Sequence, residues 1–136
     1  MLITLGTIVI IMSLWGMTHG DEWAEIGWGE GNVLAHDEAY EEMWALHLMP
    51  LGVMAIITAL IVTGKELAKI AMFAPIVLVN MLGGMLILTS DNGYGGTPTG
   101  VSAALAGLMM LATILTCASG FMPVSYTHLT LPTTLQ

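Results

Sequence analysis

The chain has 136 residues, of which 56% are hydrophobic and 9% charged, and its net charge is −8 from ten acids against two bases. A soluble domain carries about 25% charged residues, and a mean hydropathy of +0.84 leaves too little polar surface to cover a core in water. These values exclude a basic nucleic-acid binder and predict one compact all-α unit whose solvent is largely the lipid bilayer.

Four apolar stretches follow in chain order. The first, Leu2 to Met17, holds no charge. No Lys or Arg precedes it and Thr18 to Gly20 make a poor small-residue cleavage site, so an uncleaved helix is expected over a signal peptide, which would leave three spans instead of four. The segment 18–43 comes next and carries eight of the ten acids, between Asp21 and Glu42. The second stretch runs from Trp44 to Thr63, the third from Leu67 to Thr89 and the fourth from Val101 to Met122. About 20 helical residues cross a hydrocarbon layer of ~30 Å, which these three satisfy and the first only marginally. No period-2 alternation of a membrane β-barrel is present. Pro50 and Pro75 lie inside the second and third helices. They predict kinks that free the carbonyls of Leu46 and Ala71.

Both bases, Lys65 and Lys69, sit in the turn between the second and third stretches, and positive turns stay cytoplasmic. The acidic segment 18–43 and the loop 90–100 are then expected outside, with both ends of a four-span bundle inside. Trp15, Trp23, Trp28 and Trp44 fall at or beyond the same outer interface, where indoles prefer to sit. The loop Asp91-Asn92-Gly93-Tyr94-Gly95-Gly96-Thr97-Pro98-Thr99-Gly100 is glycine-rich but lacks the Lys-Ser/Thr ending and preceding strand of a phosphate cradle. It reads as an irregular cap, with Thr99 as N-cap of the fourth helix. Small residues drive helix association in lipid. Gly83 and Gly84 of the third helix are therefore expected to meet Ser102, Ala103, Ala106 and Gly107 of the fourth, and Gly107→Leu to hinder assembly.

Candidate chemistry centres on His36-Asp37-Glu38-Ala39-Tyr40-Glu41-Glu42-Met43-Trp44-Ala45-Leu46-His47. If this run is helical and continuous with the second span, His36, Tyr40, Met43 and His47 share one face, while Asp37–Glu41 and Glu38–Glu42 form i,i+4 pairs. Imidazole, carboxylate and thioether ligands suit copper or zinc, so His36, Asp37, Glu41 and His47 are the candidate metal ligands. A solvated acidic surface that attracts divalent cations without selectivity is the plainer expectation. Asn80, near the middle of the third span, is an intramembrane amide that needs a partner helix or a polar cavity. His47, Thr58, Asn80 and Cys117 are further candidates to line one common cavity. Met12, Met54, Met72, Met81, Met85, Met109 and Met110 are spread over all spans and read as packing. The lone Cys117 excludes an internal disulfide. No nucleophile–base pair, cofactor fingerprint or lipidation signal is present.

Residues 124–136, VSYTHLTLPTTLQ, resemble a translated transposase sequencing adapter of the kind found at the ends of metagenomic genes. This tail, with Tyr126 and His128, is set apart from the 1–123 bundle, and the natural chain is expected to have continued past Met122 or Pro123. In size, span number and short loops, residues 1–123 resemble the small four-helix inner-membrane proteins that include the DoxX-like families. The likeness is one of topology, and it implies no functional residues here. The expected role is a non-enzymatic prokaryotic inner-membrane protein, an accessory subunit or stand-alone bundle whose partners are lipid and other membrane subunits. A cation-handling protein using the acidic/His segment is the alternative, and a DoxX-like oxidoreductase component the third.

Overall fold

The computed structural model describes residues 1–89 and 91–122, and among them every regular element is an α-helix. These are α1 (Leu2–Gly16), α2 (Gly20–Trp28), α3 (Asp37–Ile61), α4 (Gly64–Met72), α5 (Ala74–Thr89) and α6 (Gly100–Phe121). The fold is all-α, and the adapter-like tail 124–136 lies outside the described residues. Three spans are long and apolar enough to cross a membrane: α3 with 25 residues, α4 and α5 together with 26, and α6 with 22. A fourth exists only if α1 and α2, which meet at 89°, are taken as one broken span. With 15 residues, α1 alone is about 22 Å long and falls short of the hydrocarbon thickness.

The sequence pattern and the helices differ at three places, each for a local reason. α3 starts at Asp37, not at Trp44, because the Asp37 carboxylate accepts the Leu34 N–H at 2.7 Å. Asp37 and Glu38 also place negative charge in its first turn, which complements the helix dipole. The segment 18–43 is therefore no simple loop, and it also holds α2, which ends where Gly29 takes φ +85°. The third stretch is interrupted at Phe73. There Pro75 occupies the second position of α5, where no intrahelical N–H partner is needed. Pro50, by contrast, sits within unbroken α3. Thr99 is the N-cap residue of α6 by position, without a side-chain capping bond.

Packing is tightest between the antiparallel helices α1 and α3. A Cβ on Gly6 would lie 2.6 Å from the Gly52 carbonyl oxygen, and one on Gly52 would lie 2.7 Å from that of Gly6. Gly16 closes in the same way on Ala45 and the Trp23 ring. Between these approaches the fully buried Ser13 donates its hydroxyl to the Ala45 carbonyl at 2.8 Å. The small core lies where α1 meets α6, with Leu5, Met109 and Ala112 buried and Val9, Met12 and Leu78 packed around them. At the end carrying the lysines, Gly120 closes on Ala68 and Met72 of α4, and the Cys117 thiol donates to the Met72 carbonyl at 3.4 Å. Met1, Gly64 and Ser119 line one shallow pocket there, so both ends of the described chain lie at the lysine end.

The expected seam between the third and fourth spans is not formed. A Cβ on Gly83, Gly84 or Gly107 would meet nothing within 4 Å, and α5 rests only lightly on α4 and α6. Small residues permit close approach without forcing it, and the α1–α3 pair offers both the glycines and a hydroxyl to bond. Among the described residues the outer face of the spans is largely apolar, with Leu60 69% and Ile114 60% exposed, an exterior that suits hydrocarbon.

Gly6→Leu and Gly52→Leu are each expected to lower the melting temperature in mild detergent by several degrees, because overpacking costs about 1–3 kcal/mol. Gly107→Leu is expected to melt like the wild type. A Gly107→Leu protein less stable than Gly6→Leu would contradict this assignment of the seam.

Candidate functional site

The acidic end of the bundle is sewn together by the segment 91–99. The Gly95 N–H donates to the Gly27 carbonyl at 2.7 Å. Tyr94 lies directly over Gly27, where any side chain would collide with its ring, and it meets Trp28 edge-on with centroids 5.0 Å apart. The Tyr94 hydroxyl donates to Glu41 at 2.6 Å, and the Ser102 hydroxyl at the start of α6 donates to Glu22 at 2.6 Å. Two carboxylates of the acidic region thus tie α2 and α3 to the loop and to α6. They are not simply a solvated face.

Beneath this cap lies an apolar cleft of about 340 Å³ between α2, α3, α5 and α6, with Trp23, Glu41, Trp44, Tyr94, Met85 and Met109 among its walls. On its other side a groove of about 500 Å³ between α3 and α5 is lined by Tyr40, Glu41, Asn80 and Gly84. Glu41 borders both spaces while being only 7% exposed. Trp15 at the end of α1, with His19 stacked on it, and Trp23, Trp28 and Trp44 all gather at this end, as the sequence predicts.

The proposed ligand set is divided by the helix. His36, Tyr40, Met43 and His47 do share a face of α3, and His36 and Tyr40 meet edge-on at 5.3 Å, but that face is exposed. His36 approaches Asp37 at 3.6 Å, Asp37 is otherwise engaged with Leu34, and Glu41 turns to Tyr94. His47 Nδ1 bonds to the Met43 carbonyl. Among the described residues, no three His, Cys, Asp or Glu side chains come together as a metal-ligand group.

The common cavity of His47, Thr58, Asn80 and Cys117 is not formed either. Thr58 borders a different pocket of about 400 Å³ between α1, α3, α4, α5 and α6. Cys117 faces α4, and Asn80 is exposed on α5. The residue that sequence reasoning passed over is Tyr94. It is the lone aromatic in a glycine-rich loop, and that was the available signal.

Scanned against protein-family models, curated proteins and solved structures, the chain finds no match in any of the three.

Burial, and then the Glu41 carboxylate that accepts its proton, hold the Tyr94 phenol well above the ordinary tyrosine pKa. Stability from this bond is complete below the unfolded tyrosine value of about 10. It declines above that pH, because the unfolded chain ionises first. Tyr94→Phe leaves a buried carboxylate oxygen unpaired and is expected to cost about 1–3 kcal/mol. The wild-type minus Tyr94→Phe difference in alkaline absorbance titration should show a phenol that ionises later than free tyrosine. Ionisation at the free value would contradict the burial.

Proposed function

We propose that the chain is a non-enzymatic multi-pass protein of a prokaryotic cytoplasmic membrane, serving as a subunit that associates with other membrane helices through α5. The lysine end lies in the cytoplasm and the acidic cap outside. The single observation that carries the reading is Asn80. Among the described residues its side-chain amide makes no hydrogen bond, it is exposed in the middle of a span, and only 6% of the apolar window of that span is buried within the chain. An amide held in hydrocarbon without a partner costs free energy that a neighbouring helix relieves. Gly83 and Gly84, one turn on and unobstructed, allow such a helix to come close. The charge asymmetry supports the orientation, since both bases, Lys65 and Lys69, lie on α4, at the end opposite the acidic segment 18–43.

Native electrophoresis after extraction in mild detergent should show the chain in a stoichiometric assembly. Asn80→Leu should weaken that assembly by about 1 kcal/mol, roughly fivefold, without lowering the stability of the bundle. In a Cys117→Ser background, a membrane-impermeant maleimide should label Asn92→Cys in intact cells and leave Lys65→Cys unlabelled. A chain that runs alone, with or without Asn80, contradicts the subunit role. Labelling of Lys65→Cys in place of Asn92→Cys contradicts the orientation.

A further inference from the structure

The cleft beneath the cap has a chemistry that the subunit reading does not use. Its walls are apolar and aromatic, and one carboxylate side chain, Glu41, enters them at 7% exposure. One Glu41 oxygen holds the Tyr94 hydroxyl. The other has no hydrogen-bond partner among the described residues, yet it is not sealed from the surrounding space. A buried carboxylate normally meets a basic residue, and among the described residues none is paired with Glu41. Lys65 and Lys69 stand at the far end of the bundle, and Lys69 bonds to Glu66 at 2.8 Å. Asp37, one turn before Glu41 on α3, and Glu22 beside Ser102 add negative charge to the same end. Trp44 and Tyr94 flank the carboxylate in the cleft wall, and aromatic faces attract ammonium groups. The volume of about 340 Å³ is that of a small organic ligand.

We propose that this cleft binds a lipophilic organic cation, an ammonium compound with an apolar body, whose nitrogen sits among Glu41, Trp44 and Tyr94 and whose body lies against Met81, Met85 and Met109. The charge balance follows directly. The ligand supplies the positive charge that the chain withholds from Glu41, and the methionine side chains adapt to bodies of different shape. Anions are repelled by the acidic end, and neutral molecules gain nothing from the carboxylate.

The test is calorimetric titration of the full chain in a non-ionic detergent with benzyltriethylammonium, benzyl alcohol and benzenesulfonate. Saturable binding is expected for the ammonium probe alone, at least tenfold tighter than for the other two. Glu41→Gln keeps an acceptor for Tyr94 but removes the charge, and it should weaken the ammonium probe at least tenfold. Ala106→Phe fills the cleft with Glu41 intact and should weaken it comparably, which keeps the proposal open to refutation if Glu41→Gln fails to fold. Glu38→Gln removes an exposed acid of the same end outside the cleft and should stay within twofold of wild type. The proposal is overturned by absent saturation, by equal binding of the neutral or anionic probe, or by Ala106→Phe binding as the wild type does. A loss in Glu38→Gln as large as that in Glu41→Gln would overturn it too, since it would mark a diffuse surface effect.

Discussion

The close approach of α1 and α3, backbone on backbone at Gly6 and Gly52 and bonded at Ser13–Ala45, is the joint from which the rest of the bundle is built. In hydrocarbon, burying leucine gains little over leaving it in lipid, so helices hold together where their backbones come near and a polar group finds a partner. The α1–α3 pair has both features, set seven residues apart along the two helices. It fixes Leu5 against Met109 and Ala112 of α6. It also places the turn after Gly16 so that α2 folds back across the start of α3.

That turn determines the chemistry of the acidic end. Because α2 leaves α1 at 89°, it passes beside the first turns of α3, and the loop from α5 to α6 closes over both through Tyr94 and Gly95. Eight acids concentrated between Asp21 and Glu42 would repel one another on an open surface. Three of them are instead used as acceptors, Glu41 for Tyr94, Glu22 for Ser102 and Asp37 for the Leu34 N–H. The same strapping roofs the cleft and, among the described residues, leaves one carboxylate oxygen of Glu41 without a partner inside it. At the opposite extreme, α5 is held lightly, and its Asn80 lies on the bundle's exterior without a hydrogen-bond partner among the described residues. A closely packed α1–α3–α6 unit thus carries a lightly held α5.

Much of this architecture was legible in the sequence. Apolar stretches of the right length locate the three spans carried by α3, by α4 with α5, and by α6, and the clustering of tryptophans with acids at one end follows from their positions alone. Helix starts were less legible, because the turn that begins α3 depends on a single carboxylate reaching back to Leu34, and hydropathy does not register it. The packing seam was misplaced for a related reason. Gly83, Gly84 and Gly107 look the same in sequence as Gly6 and Gly52, and what separates them is whether a facing helix offers a complementary surface. The candidate site was half legible. Helical spacing correctly gathers His36, Tyr40, Met43 and His47 on one face but cannot show that this face is exposed. It also cannot show that Glu41, on the neighbouring face, turns inward to a tyrosine 53 residues away.

The most direct test of this account is solid-state NMR of the chain in lipid bilayers with serine and alanine carbons labelled. A cross-peak between the Ser13 side chain and the Ala45 carbonyl is predicted, since their oxygens lie 2.8 Å apart. Absence of that cross-peak in a folded, helical sample, with Ser13 instead close to alanines of α6, would contradict the joint on which the whole arrangement depends.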